Sequence, residues 1–197
     1  MKVLKTLLFS VLIGSLGLVS AADFVSDPAH TFAVWRATHA EVSYTFGAFD
    51  ELTANLSYDA EAPEDSSIEF TILVESVDSG MDIPDTENDG AARDGHLRSP
   101  DFFDAAQFPT VDFVSTGVTA VDEENLEVTG DLTVHGVTNE ITINVEKTGE
   151  GQNQDGDNLI GFYTEFTIDR TDYDMSNLLQ ATGPEVLLMV SFEGVEQ

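Results

Sequence analysis

Val186, Leu188, Val190 and Phe192 fall on one side of an extended chain, and Leu187, Met189, Ser191 and Glu193 on the other. Successive side chains of a strand face opposite sides of the sheet, so this alternation means one buried face and one mostly wet face. Seven stretches of the chain carry the same period of two. Repeated along a whole domain, that pattern requires an antiparallel sheet that closes or folds onto itself to hide its apolar side. A closed sheet has an interior, and the content of that interior is the functional question.

The other alternating runs place Leu52, Ala54, Leu56 and Tyr58 on one face, then Ile68, Phe70, Ile72 and Val74. Leu126, Val128, Leu132 and Val134 follow, then Ile141, Ile143 and Val145, and then Ile160, Phe162, Phe166 and Ile168. With Thr31 to His39, Val42 to Phe49 and Val111 to Val118 added, the reading is eight or nine strands separated by Gly, Asp and Asn turns. Thr31 to His39 is apolar on both faces, with Phe32 and Val34 opposing Ala33, Trp35 and Ala37. That predicts a strand covered inside and out, with the Phe102-Phe103 segment as the outer cover.

Asp78 to Phe108 breaks the rhythm and carries Pro84 and Pro100. Ala91 to Leu97 reads as one or two turns of helix. Ser99-Pro100-Asp101 has the marks of a helix start, with Ser at the N-cap, Pro at the first helical position and an acid in the first turn. The expectation is an all-β domain with one short helical excursion laid over an end or flank.

Lys2 and Lys5 precede an uncharged run from Thr6 to Val19, and Val19-Ser20-Ala21-Ala22 follows. A basic start, an apolar run and small residues predict a signal peptide over residues 1–21, cut near Ala21/Ala22, leaving one domain over 22–197. The run is too short to span a bilayer comfortably, so no stable membrane insertion is expected. The expected location is periplasmic or secreted. There is no cysteine, so neither disulfides nor thiol chemistry enter.

The formal charge is −30, and loss of Lys2 and Lys5 makes it −32. Arg36, Arg93, Arg98, Lys147 and Arg170 stand against 37 acidic residues. Such a field repels phosphate backbones and anionic headgroups, which excludes nucleic acid as a partner class. A salty habitat or a basic protein partner are both consistent with it.

No His-Glu-x-x-His, nucleophile elbow, phosphate loop or dinucleotide fingerprint is present, so no enzyme, metal or cofactor is expected. Asp85 to Gly90 has a faint calcium-loop pattern, but His96 stands at the twelfth position, where Glu is needed. Asn153 to Asn158 reads as a polar hairpin tip. His30, His39, His96 and His135 each serve a turn or meet a polar ligand group. Arg93 and Arg98 either pair with Asp94, Asp101 or Asp104, or clamp an oxygen-bearing group. Arg170, between Asp169 and Asp172, reads as a salt-bridging residue.

Six strings occur in order. They are Asp27-Pro28-Ala29-His30; His39 ahead of Phe46-Gly47-Ala48-Phe49; Arg93-Asp94-Gly95-His96-Leu97-Arg98-Ser99-Pro100-Asp101-Phe102-Phe103; Phe108-Pro109-Thr110-Val111-Asp112-Phe113; Gly130 through Thr138; and Gly161-Phe162 leading to Ile168-Asp169-Arg170. Their order and spacing resemble the YceI-like family of bacterial periplasmic proteins, from about Asp23 to Val195. Glu41 departs from the family by replacing a small residue, and Asp78 to Asp89 is longer and more acidic than usual.

The resemblance implies a lipocalin-like, eight-stranded antiparallel barrel with an elongated apolar pore that binds an isoprenoid or similar long-chain amphiphile. It implies no catalytic activity and no cofactor other than such a bound lipid. On that basis the tail is expected among Trp35, Phe70, Phe113, Phe162 and Phe166, with Phe102 beside them, and the head near Arg93, His96 and Arg98. The alternatives are a filled barrel acting as a stress-related interaction protein, or a small hydrolase of amphiphiles. Whether the protein is a homodimer stays open.

Overall fold

The computed structural model describes residues 21–80 and 90–197. Eleven strand segments form eight staves of a closed antiparallel barrel. β1 (Ala22–Ser26) and β2 (Phe32–His39) lie end to end along one edge of the last strand, β11 (Thr182–Glu196). Phe24 to Ser26 oppose Gly194 to Glu196, and Phe32 to His39 oppose Thr182 to Ser191. Between the two, Asp27 accepts the Ala29 amide and Pro28 brings no N–H, so the ladder is interrupted there.

The next two staves are broken at the same level. β3 (Ser43–Phe49) pairs with β2, while its continuation β4 (Leu52–Tyr58) pairs with β1. β5 (Ser67–Leu73) pairs with β4, and after one 3₁₀ turn β6 (Val77–Asp78) pairs with β3. β7 (Thr110–Ala120), β8 (Asn125–Val134), β9 (Val137–Gln152) and β10 (Asn158–Asp169) then run as a meander to β11. Closing on β1 and β2 removes the sheet edges that an open sheet of this length would expose.

The predicted faces are those that point inward: Leu52, Ala54, Leu56 and Tyr58 are all buried, as are Leu126, Val128, Leu132 and Val134. β1 is the segment that alternation does not announce, because its five residues carry only Phe24 and Val25 as large apolar groups. The β8–β9 hairpin turns on His135 and Gly136, both at positive φ, which is the twist a two-residue hairpin demands. The tip at Asn153 is polar as read, its Oδ1 accepting the Asp155 and Asp157 amides.

Two expectations are corrected. α1 (Gly90–Arg98) covers the first predicted helix, but no helix starts at Ser99. Ser99 instead ends α1: its hydroxyl donates to the His96 carbonyl, and its own carbonyl accepts from the Phe102 and Asp104 amides. Pro100 prevents continuation, and the chain folds back through Asp104 at φ 46. Nor does Phe102-Phe103 cover the outer face of β2. Phe32 is 54% exposed there, and the excursion crosses the barrel end because β6 finishes and β7 begins at that end. Residues 1–20 of the predicted signal peptide and 85–89 of the Asp85–Gly90 string lie outside the described residues.

Candidate functional site

Inward-facing side chains leave two linked apolar chambers along the barrel axis. The upper one, of about 100 Å³, lies beneath the excursion, and Trp35, Phe102, Phe103, Phe166, Leu188 and Met175 are among its walls. The lower one, of about 70 Å³, lies among Leu56, Tyr58, Phe113, Val128, Phe162 and Phe192. Phe70 and Val190 line both chambers and mark the level where they meet. An eight-stranded barrel is just wide enough for side chains to fill it or for one slender ligand.

The upper chamber adjoins a vestibule of about 360 Å³ bounded by Trp35, His39, Thr45, Arg93, His96 and Leu178, among others. The lining therefore changes from hydrocarbon to polar groups, Arg93 among them, over one step. α1 places Arg93 and His96 here, and two contacts pin that helix to β6. Asp94 Oδ1 accepts the Ser79 amide at 2.9 Å, and Arg98 Nη2 donates to the Val77 carbonyl at 3.0 Å.

The sequence-predicted residues divide accordingly. Trp35, Phe70, Phe102, Phe113, Phe162 and Phe166 all face the chambers. Arg93 and His96 reach the vestibule, and Arg93 makes no hydrogen bond or ion pair with the described residues. Arg98 lines neither chamber nor vestibule; its Nε lies 3.8 Å from Glu75, so it serves the α1–β6 junction. Asp101, a predicted partner for an arginine, pairs with His96 Nε2 at 3.0 Å instead.

Arg170 departs furthest from expectation. It is 3% exposed and forms no ion pair with Asp169 or Asp172. Its Nε donates to the Gly183 carbonyl, Nη1 to Met175, and Nη2 to Asn177 and Thr182. The Asp169 carboxylate is taken by the Thr171 amide and hydroxyl, which hold its pKa below the usual value. Desolvation lowers the Arg170 pKa, with Asp169 opposing. The guanidinium thus gathers the β10–β11 connection into a closed loop, and the Phe102 ring rests 5.7 Å from its Cζ. That loop supplies Met175 and Thr182 to the upper chamber and Leu178 to the vestibule.

Away from the pore, His30 Nδ1 lies 3.0 Å from Asp27 and 3.3 Å from Glu193, tying the β1–β2 corner to β11. Both carboxylates raise the His30 pKa; the Ala29 amide first, and then His30, lower that of Asp27. No nucleophilic hydroxyl is hydrogen-bonded to an imidazole among the described residues. No helix among them is long and apolar enough to cross a membrane.

A family model described as the YceI-like domain matches residues 24–194. Protein YceI of Escherichia coli is 34% identical over 198 residues, covering 100% of this chain and 98% of the relative. A UPF0312 protein of Pseudomonas fluorescens is 35% identical over 201 residues, with the same coverage of 100% and 98%. Among solved structures, the Campylobacter jejuni YceI protein is 28% identical with a TM-score of 0.69, over 81% of this chain and 90% of that one. Burkholderia cenocepacia BcnA, at 22% identity, has a TM-score of 0.74 over 85% and 98%. A structure described as a polyisoprenoid binding domain from Saccharophagus degradans shares the fold at 17% identity, with a TM-score of 0.66 over 90% and 99%.

Proposed function

Because this chain belongs to the YceI-like family, we propose that it is an exported binding protein that holds an isoprenoid or similar long-chain amphiphile, tail in the barrel and head in the vestibule. The observation that carries this reading is the abrupt join between a hydrocarbon-lined lumen and a vestibule holding an arginine with no acidic partner among the described residues. In a chain with 37 acidic residues, an arginine at a pore mouth suits an oxygen-bearing head. The polyisoprenoid ligand named for the structural neighbour agrees with it.

Physical chemistry says why such a lumen would be needed. Each methylene exposed to water costs about 0.8 kcal/mol, so a prenyl tail leaves a bilayer only for a lining of similar character. The competitor is the membrane rather than water. Affinity above that baseline comes from fit along the pore and from a few polar contacts at its mouth. Nothing in the site is arranged for turnover, since neither His–carboxylate pair holds a nucleophile among the described residues.

The test is mass spectrometry of an organic extract of protein purified without detergent from an exporting host. A stoichiometric prenyl or long-chain species is expected. An empty extract, together with unchanged Trp35 fluorescence on titration with an isoprenoid quinone, would overturn the reading in favour of a filled barrel.

A further inference from the structure

The lumen is two rooms rather than one tube, and the partition is specific. Phe70 on β5 and Phe113 on β7 are register partners whose rings stack at 5.3 Å with an interplanar angle of 18°. Phe70 faces both chambers, whereas Phe113 faces only the lower one, so the Phe70 ring forms the ledge between them. Val190, reached from β11, also borders both. Small residues beside the pair make room for it: Ala54 is the register partner of Phe70 on β4, and Gly130 lies against Phe113 on β8. A β-carbon at Gly130 would stand 2.7 Å from Phe113 Cε2 and 2.6 Å from the Val114 carbonyl, closer than real contacts allow. Phe113 is 1% exposed and fixed, while Phe70 is half-buried with its open side toward the lumen.

We infer that Phe70 sets the length of tail this protein accepts, an inference that rests on the isoprenoid reading above. A tail entering from the vestibule meets the upper chamber first. To go further it must drive Phe70 off the Phe113 ring, in an interior packed tightly enough to resist such a shift. Affinity therefore rises with the number of isoprene units until the upper chamber is full and then levels off. The specificity belongs to this side chain and not to the barrel, whose lower chamber is as apolar as the upper one.

The test compares the wild type with Phe70→Ala and the milder Phe70→Leu, each verified as folded by thermal melting. Farnesol, geranylgeraniol and solanesol are titrated against the fluorescence of Trp35, which lines the upper chamber. The expected wild-type result is a plateau, with solanesol bound no better than geranylgeraniol. In Phe70→Ala, solanesol is expected to gain about tenfold in affinity while farnesol changes by less than about threefold. Phe70→Leu, which keeps a smaller ledge, should fall between them. A wild type whose affinity climbs through solanesol, with neither variant changing the order, would overturn the length gate and leave the isoprenoid reading intact. Absence of binding by every prenol in all three proteins would sink that reading, and the gate with it.

Discussion

Trp35 and Gly47 are register partners across the β2–β3 ladder, and the indole lies in the space a side chain at 47 would occupy. A β-carbon there would stand 2.5 Å from Trp35 Cε2 and 2.7 Å from the Asp78 carbonyl. The missing side chain thus lets the only tryptophan lie against the wall, at the join of upper chamber and vestibule. Its Nε1 is buried and without a hydrogen-bond partner among the described residues, a state that costs free energy unless something answers it.

Gly47→Ala is therefore expected to push the indole into the passage. Overpacking of this kind costs about 1–3 kcal/mol. The change should appear as a lowered melting temperature and a shifted Trp35 emission maximum, measured on the unliganded protein. An unshifted emission with unchanged stability would show that the wall yields and the indole stays put.

Arg170 makes the second prediction. Replacing it with Met removes donors to four carbonyls and leaves them, one buried and three part-buried, around an apolar chain. Hydrogen bonds from a charged donor contribute about 1.5–3 kcal/mol each and do not add fully, so a loss of about 3 kcal/mol or more is expected in denaturant titration. Arg170→Lys should recover little, because one ammonium cannot span carbonyls served by a planar fork. Recovery to near wild-type stability by lysine would mean that charge, not fork geometry, holds the loop.

What was legible in the chain and what was not divides along physical lines. The two-residue period of a strand shows which residues share a face with Phe70, Phe113, Phe162 or Phe166, but that these faces line a lumen was legible only through the family resemblance. The salt bridge expected of Arg170 failed because its partners are backbone carbonyls, which every residue has and no side-chain pattern marks. The Ser99 helix start failed for a related reason. The same Ser-Pro-Asp string that opens a helix also closes one, and only the preceding α1 decides which. Glu193 joined the His30 cluster through barrel closure, a relationship no local spacing contains. The chamber partition, too, depends on how Ala54 and Gly130 flank two rings from different strands.

Gly136 supplies the third prediction. It sits at φ +76 in the β8–β9 turn, and a β-carbon would stand 2.8 Å from Phe108 Cδ1. Phe108 meanwhile packs edge-on against His135 at 4.7 Å. Gly136→Ala meets both a left-handed backbone and a ring that has to shift, so a loss of about 2 kcal/mol is expected by chemical denaturation. Gly156, at φ +92 but with open space around it, offers the control. Gly156→Ala should lose only the backbone share, about 1 kcal/mol.

The last prediction concerns pH. His30 has its pKa raised, first by the hydrogen bond to Asp27 and then by Glu193, so the folded state binds its proton more tightly than the unfolded chain does. Stability from this contact is fully present below the unfolded histidine value and is lost as pH rises through the higher folded one. Asp27 works in the opposite sense: its lowered pKa adds stability above the ordinary carboxylate range, lost as pH falls through the folded value. The corner joining β1 and β2 to β11 is therefore tightest in mildly acidic solution. The group is fully exposed and screened by salt, so the effect is small and best read as a difference. Melting temperatures of wild type and His30→Gln should be further apart at about pH 5 than at about pH 8, and the gap should narrow in high salt. A gap that widens toward alkaline pH would mean that the neutral imidazole's hydrogen bond to Asp27, rather than its charge, secures the corner.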